Sequence, residues 1–340
     1  MAGRSSAMQR RILIYSGREE PEAAARAVAL ARAVLRREPA ATCVLAARGV
    51  APVTDAPVGL AVVELPALVR TGGRGEEPAQ IGGPQAARVG LRLLTDLALS
   101  FQPDVVVVDR DPLGALGELA TALAALSAMA PPPRTWLALD DVDLIRVSRR
   151  PGALRALERT AGRYGALLVF GEADACAPFV TRALAAARVP AVAYAGYGGF
   201  VAAGTPPWAS HVAGGRRTVV APAGLVPGLA LGTGSFDRAV AGADLVVAAP
   251  DHPAVALALG HGRSLVILAG APARDAEAAG GEHLVRARAL EGRGRARVLD
   301  RATIERSELV RLAAVAGAIP PQPDKPSTAD RAAGLLLDTV

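Results

Sequence analysis

A chain of 340 residues, 51% hydrophobic and 21% charged, is long enough for two domains and too apolar to be disordered. Aromatic residues make up only 3%, and there is no spaced Cys/His set or RNP motif, so the chain lacks the means to bind nucleic acid. The net charge of +6 is carried almost wholly by arginine, Lys325 being the only lysine; it suits a phosphate-bearing ligand or peripheral contact with an anionic lipid surface, and equally a solvated basic surface.

Cys43 and Cys176 are too few for a disulfide framework and fit a reducing compartment. Residues 1–11 hold arginine but no apolar run of the kind a signal peptide needs. The uncharged or weakly charged stretches Val189–Gly215 and Thr218–Phe236 are interrupted by Pro and Gly and do not read as membrane spans. The expected location is cytoplasmic.

In chain order, the predicted strands of the first half are Ile12–Tyr15, Thr42–Ala46, Leu60–Leu65, Val105–Asp109, Thr135–Leu139, Ala166–Phe170 and Ala191–Tyr194. They are short apolar runs without alternation, the pattern of strands buried on both faces. Helical spacing separates them: Ala27, Leu30, Ala31 and Val34, then Leu91, Leu94, Ala98 and Phe101. Alternating strands and helices predict a parallel sheet covered on both sides.

A second α/β unit is predicted with strands Thr218–Ala221, Leu229–Gly232, Leu245–Ala248, Leu265–Leu268 and Arg297–Leu299. The first two are too close for a parallel crossover, which needs roughly ten residues or more. They are therefore read as antiparallel neighbours, or one of them is not a strand. The expected organisation is an N-terminal Rossmann-like domain at 1–200, a linker at 201–216, a reduced C-terminal domain at 217–319, and a linker with a closing helix at 320–340. The helix itself is read at Ala329–Leu337.

Ligands of open α/β sheets sit beyond the carboxyl ends of the strands. The residues there are Ser16 and Gly17, Asp109 and Asp111 with Glu118 on the following helix, Asp140, Asp141 and Asp143, Glu172, and Asp251 with His252. A carboxylate at a strand end can deprotonate a hydroxyl, but aspartate there also caps helices and shapes turns. His252 and His283 stand at a strand end and near a helix start, where imidazole can meet phosphate or move a proton. Gly280 and Gly281 precede that helix. There is no Walker A motif, no Gly-x-Gly-x-x-Gly after the first strand and no Gly-x-Ser-x-Gly elbow, which weighs against a P-loop NTPase, an NAD-dependent dehydrogenase and an α/β-hydrolase.

Taken in order, Ile12–Ser16, Arg26–Ala33, Glu64–Val69, Pro103–Asp109, Pro112–Gly114 with Gly117 and Glu118, Arg134–Asp141, Tyr194–Tyr197, Ala243–Val247, Ala256–Gly260 and Glu282–Arg288 resemble bacterial glycosyltransferases of the GT-B fold. The resemblance is to relatives of the peptidoglycan N-acetylglucosaminyltransferase (family 28-like), in a divergent, shortened form. It implies two Rossmann-like domains with parallel sheets, the second reduced. It also implies transfer of a hexosyl group from a nucleotide-sugar to a lipid-linked or small-molecule acceptor. No metal or other cofactor is implied, the nucleotide-sugar being a substrate. On this reading Asp109 or Asp141 is the base. His252, Gly260, Glu282, His283 and Arg286 lie on the donor side, and Ser16, Gly17, Asp111 and Glu118 on the acceptor side. The closing helix is expected to pack back onto the first domain.

Three departures from the family pattern matter. The Gly-x-Gly-His loop after the first strand is replaced by the acidic, helix-forming segment Gly17–Ala24. Val255, Ala256 and Leu257 stand where relatives carry a ribose-gripping glutamate. The helix expected after Thr218–Ala221 is missing from the pattern. The alternative is therefore a catalytically inactive relative that serves as a binding or partner protein.

Overall fold

The computed structural model describes residues 9–17, 21–48, 56–66, 68–70, 76–78, 83–187, 191–198, 208–213, 215–226, 229–233, 235–250, 253–270, 281–300, 311 and 327–338. The chain is α/β, with a seven-stranded and a six-stranded sheet.

The first sheet contains β1 (Arg11–Ser16), β2 (Thr42–Arg48), β3 (Leu60–Leu65), β6 (Val105–Asp109), β7 (Arg134–Asp140), β8 (Ala166–Phe170) and β9 (Val192–Tyr194). A small hairpin, β4 (Leu68–Arg70) with β5 (Glu76–Pro78), stands apart. The strand order is β3-β2-β1-β6-β7-β8-β9, and every neighbouring pair is parallel. All seven predicted strands are present. Their lack of alternation has a direct cause: Leu13, Val106, Val108 and Leu137 face one core layer, while Ile12, Ile14, Val105 and Val107 face the other. The first layer is closed by α2 (Gly83–Phe101), α3 (Leu119–Ser127), α4 (Asp141–Arg149), α5 (Pro151–Thr160) and α6 (Ala173–Ala187).

The second layer needs two helices. One is α1 (Pro21–Arg37), whose first residue is a proline preset for a helix start. The other is α10 (Thr328–Asp338), the closing helix, which lays Ala329, Ala332, Ala333, Leu336 and Leu337 into the layer that holds Trp136, Leu168 and Phe170. Arginines of the first domain reach its last turn: Arg10 donates to the Leu337 carbonyl at 2.7 Å and Arg134 to the Leu336 carbonyl at 3.0 Å. These carbonyls have no partner within the helix, so the guanidiniums both satisfy them and oppose the negative end of the helix dipole. The far end of the chain is thus a structural part of the N-terminal sheet.

The second sheet has the order β12-β10-β11-β13-β14-β15. Its strands are β10 (Ala209–Ala213), β11 (Arg216–Ala221), β12 (Ala230–Leu231), β13 (Leu245–Ala248), β14 (Ser264–Ala269) and β15 (Arg297–Asp300), with α7 (Phe236–Ala241), α8 (Ala254–Gly260) and α9 (Glu282–Glu291) on one face. Sequence placed Ala209–Ala213 in a linker, but it forms a strand, antiparallel to both β11 and β12. This also corrects the reading of the short connection: β11 and β12 are both strands yet not neighbours, because β10 lies between them. Among the described residues only a 3₁₀ turn, Ala223–Leu225, follows β11 before β12. No helix among the described residues is long and apolar enough to cross a membrane.

Candidate functional site

The order of the first sheet reverses between β1 and β6, which opens a crevice at their carboxyl ends. Side chains of the protein fill it on both faces. On one face, the Tyr15 hydroxyl donates to Glu118 Oε1 at 2.7 Å and the Leu116 N–H donates to Glu118 Oε2 at 2.7 Å. The Arg48 guanidinium pairs with the same carboxylate and also reaches the Pro66 carbonyl. The side chains of Arg48 and Glu118 are both 0% exposed. Gly114, at φ +86°, leaves the room this knot needs: a Cβ there would lie 2.6 Å from Glu118 Oε2. Gly17 has no space for a Cβ beside the Tyr15 ring. Burial, and then the Glu118 charge, push the Tyr15 phenol well above its usual range, so it stays a proton donor. Ser16 is fully buried, and its hydroxyl makes no hydrogen bond among the described residues.

The other face holds three acids and three arginines. Asp109, ending β6, pairs with Arg26 of α1 at 2.7 Å, and Arg26 also approaches Asp140 at 3.5 Å. Arg110 binds Asp140 at 2.7 Å and Asp143 at 3.2 Å, and Arg146 binds Asp143 at 3.0 Å. The Arg26 guanidinium also lies 5.1 Å from the Phe170 ring centroid. Asp140 and Asp143 form a capping box for α4: the Asp143 N–H donates to Asp140 at 2.8 Å and the Asp140 N–H to Asp143 at 3.3 Å. Burial raises the Asp109 pKa against the pull of Arg26 and Arg110. Burial also opposes ionisation of Asp140, but Arg110 and Arg26 overcome it and hold that carboxyl below the usual range. Asp143 is pushed up to about 7 by burial and by the charge of Asp140. Asp111 opens the turn after β6, its carbonyl accepting from the Gly114 N–H at 2.9 Å.

A third group lies where the two domains meet. Asp141, the first residue of α4, is buried; it accepts from the Tyr197 hydroxyl at 2.9 Å and faces Arg286 of α9 at 3.6 Å. Arg286 also donates to the Pro250 carbonyl, just after β13. Glu282, opening α9, is 2% exposed and pairs with Arg150 of the first domain at 2.8 Å. Its Oε2 has no hydrogen-bond partner among the described residues. Gly281 precedes it at φ +76°, a left-handed turn that suits glycine and aims α9 at α4. Burial, and then the charge of Asp140, raise the Asp141 pKa, opposed by Arg286 and the Tyr197 hydroxyl. Farther along the seam, Arg295 pairs with Glu172 at 3.0 Å and Arg293 donates to the Asp174 carbonyl at 3.1 Å.

The structure therefore brings Asp141 and Arg286 together from opposite domains, while Glu282 meets Arg150 at the other end of α4. Asp109 stands in the neighbouring arginine network, and Ser16, Gly17 and Glu118 lie at the β1/β6 crevice. His283 is half-buried on the first turn of α9. Gly260 ends α8 against the Tyr197 backbone, where a Cβ would sit 2.8 Å from the Tyr197 oxygen. His252 falls outside the described residues. Sequence reasoning did not name Arg26, Arg48, Arg150 or Tyr197 as partners. Arg26 left a signal: it sits three residues after Ala23 and four before Leu30, on the buried stripe of α1, where a lone arginine needs an acid.

No family model and no curated protein matches the chain. Solved structures do. A UDP-glucose:anthocyanidin 3-O-glucosyltransferase in complex with UDP is 9% identical, with 97% of this chain and 98% of that one covered at a TM-score of 0.55. The glycosyltransferase SnogD from Streptomyces nogalater is 17% identical, with 96% and 99% covered at 0.51. The spinosyn forosaminyltransferase SpnP is 15% identical, with 96% and 93% covered at 0.51. At these identities the likeness is one of fold: the chain has the two-sheet GT-B architecture of these proteins over nearly its whole length.

Proposed function

We propose that the protein binds a nucleotide-sugar at the seam between its domains and transfers the glycosyl group to an acceptor hydroxyl. The observation that carries this reading is the pair of contacts that α9 of the second domain makes with the two ends of α4, Arg286 with Asp141 and Glu282 with Arg150. The fold supports it, being shared end to end with proteins named as sugar transferases, one of them holding UDP. The N-terminal domain is the acceptor side and the C-terminal domain the donor side. On the order of its motifs the chain is read as a relative of the family 28-like branch, in a shortened form.

In the transfer, the acceptor oxygen bonds to the anomeric carbon as the bond from that carbon to the phosphate oxygen breaks. The acceptor proton passes to Asp141, and the departing diphosphate keeps the electron pair. Arg286 turns from Asp141 to the diphosphate, where a guanidinium binds phosphate oxygens in pairs. Losing that guanidinium removes a charge that lowers the Asp141 pKa, so donor binding makes Asp141 a stronger base. Glu282, with an unpartnered buried oxygen, accepts from sugar hydroxyls, and His283 flanks the donor. Negative charge on the leaving group is met by arginine and by helix N-termini.

One observation favours a second reading, a non-catalytic relative that binds a partner protein. The acids at the β1/β6 crevice are held in ion-pair networks: Glu118 by Arg48, and Asp109, Asp140 and Asp143 by Arg26, Arg110 and Arg146. A melting screen with UDP, GDP, TDP and their sugars separates the two. A nucleotide at 100 times its Kd stabilises by about 2.7 kcal/mol. A shift with one nucleotide followed by sugar transfer supports the first reading, and flat curves across the panel support the second.

A further inference from the structure

The second domain has a cavity of about 260 Å³ lined by Trp208, Ser210, Arg217, Leu231, Arg238 and Ala239, with Thr233 and Ser235 at its rim. It lies between α7 and the strands β10 and β12, at the opposite margin of the sheet from α9. Three strand steps separate β10 from β14, which leads into α9; at ~4.8 Å per step that is about 14 Å.

The cavity's walls are chemically divided. Trp208 lies against Gly232, where any Cβ would overlap the indole, and its ring stands 6.0 Å from that of Phe236. Leu231 beside it is 66% exposed and adds apolar surface to that wall. The guanidiniums of Arg217 and Arg238 form no ion pair among the described residues. The nearby acids are engaged elsewhere: Asp237 pairs with His261 at 3.0 Å, and Asp244 accepts the backbone N–H of Arg217 at 2.7 Å. Three hydroxyls, on Ser210, Thr233 and Ser235, complete the polar side. The volume is that of about nine waters at ~30 Å³ each, enough for a small molecule.

We infer that this cavity is a binding site, separate from the seam, for a small molecule with a flat apolar part and a phosphate or carboxylate group. Trp208 and Leu231 take the apolar part, while Arg217 and Arg238 hold the anion in charge-assisted hydrogen bonds. Phenyl phosphate is a suitable probe. The chain has two tryptophans, so the ¹⁵N-labelled protein gives two indole N–H signals, and the Trp208→Phe variant assigns them. Titration should move the Trp208 signal saturably and leave that of the buried Trp136 in place. Arg217→Gln and Arg238→Gln should each weaken binding about tenfold, as expected for losing one charge-assisted contact. Both arginines are exposed, so these variants should fold normally. Arg286→Ala, which impairs the seam, should leave phenyl phosphate binding unchanged. No saturable shift, or binding indifferent to both arginines, overturns the inference. So does loss of binding in Arg286→Ala, which would make the cavity part of the seam site.

Discussion

Removing Arg26 should destabilise the first domain severely, and removing its partner as well should restore much of the loss. Arg26 and Asp109 are each 7% exposed at the side chain and 2.7 Å apart. At an effective dielectric of about 20, two unit charges at that distance attract by about 6 kcal/mol before desolvation. Desolvation takes back much of this, but a single Arg26→Met exchange leaves the full burial penalty on Asp109. The cluster then holds three acids, Asp109, Asp140 and Asp143, against two arginines, Arg110 and Arg146. The expected loss is about 3–5 kcal/mol. Asp109→Asn should cost a similar amount, and the double variant clearly less than the sum, because neither charge is stranded. Urea unfolding monitored by circular dichroism, read at the first transition, measures each value. Single losses below about 1 kcal/mol, or strictly additive ones, would refute the view that this network is a desolvated, charge-balanced unit.

Glu118→Gln should cost about 3–5 kcal/mol in the same assay, since it strands the wholly buried Arg48; a neutral result would show that the knot at the crevice is dispensable. Leu336→Ala, at a fully buried position of α10, should cost about 2–5 kcal/mol, and an unchanged midpoint would mean that the closing helix is not part of the first core. Asp143 gives a pH prediction. Its folded pKa, about 7, lies above that of an unfolded aspartate, so the native state binds the extra proton. The resulting stabilisation is complete below about pH 4 and is lost as pH rises through 7, at up to ~1.4 kcal/mol per unit. Asp143→Asn should flatten that fall, and an unaltered slope between pH 4 and 7 would contradict it.

The sheets were largely legible because burial on both faces writes itself as apolar runs, as in Val105–Asp109 and Ala166–Phe170, both buried throughout. β10 was not. Ala209–Ala213 is short, carries Ser210 and His211, lies in a Gly/Pro-rich stretch, and pairs antiparallel near a sheet edge, where no apolar run is required. At the candidate site the positions could be read and the partners could not. Asp141 and Glu282 announce themselves at a strand end and a helix start. What neutralises them is set by tertiary packing: Arg150 lies 132 residues from Glu282, Tyr197 lies 56 from Asp141, and Arg26 lies 83 from Asp109. Period and spacing carry no information across such separations, so acids that looked available in sequence are found with arginines in the fold.

Isothermal titration of UDP, GDP and TDP into the wild-type protein and into Arg286→Ala tests the seam most directly. Saturable binding of at least one nucleoside diphosphate is expected, with a loss of tenfold or more in the variant, the contribution of about one charge-assisted phosphate contact. No heat with any of the three, or equal affinity in the two proteins, would contradict it.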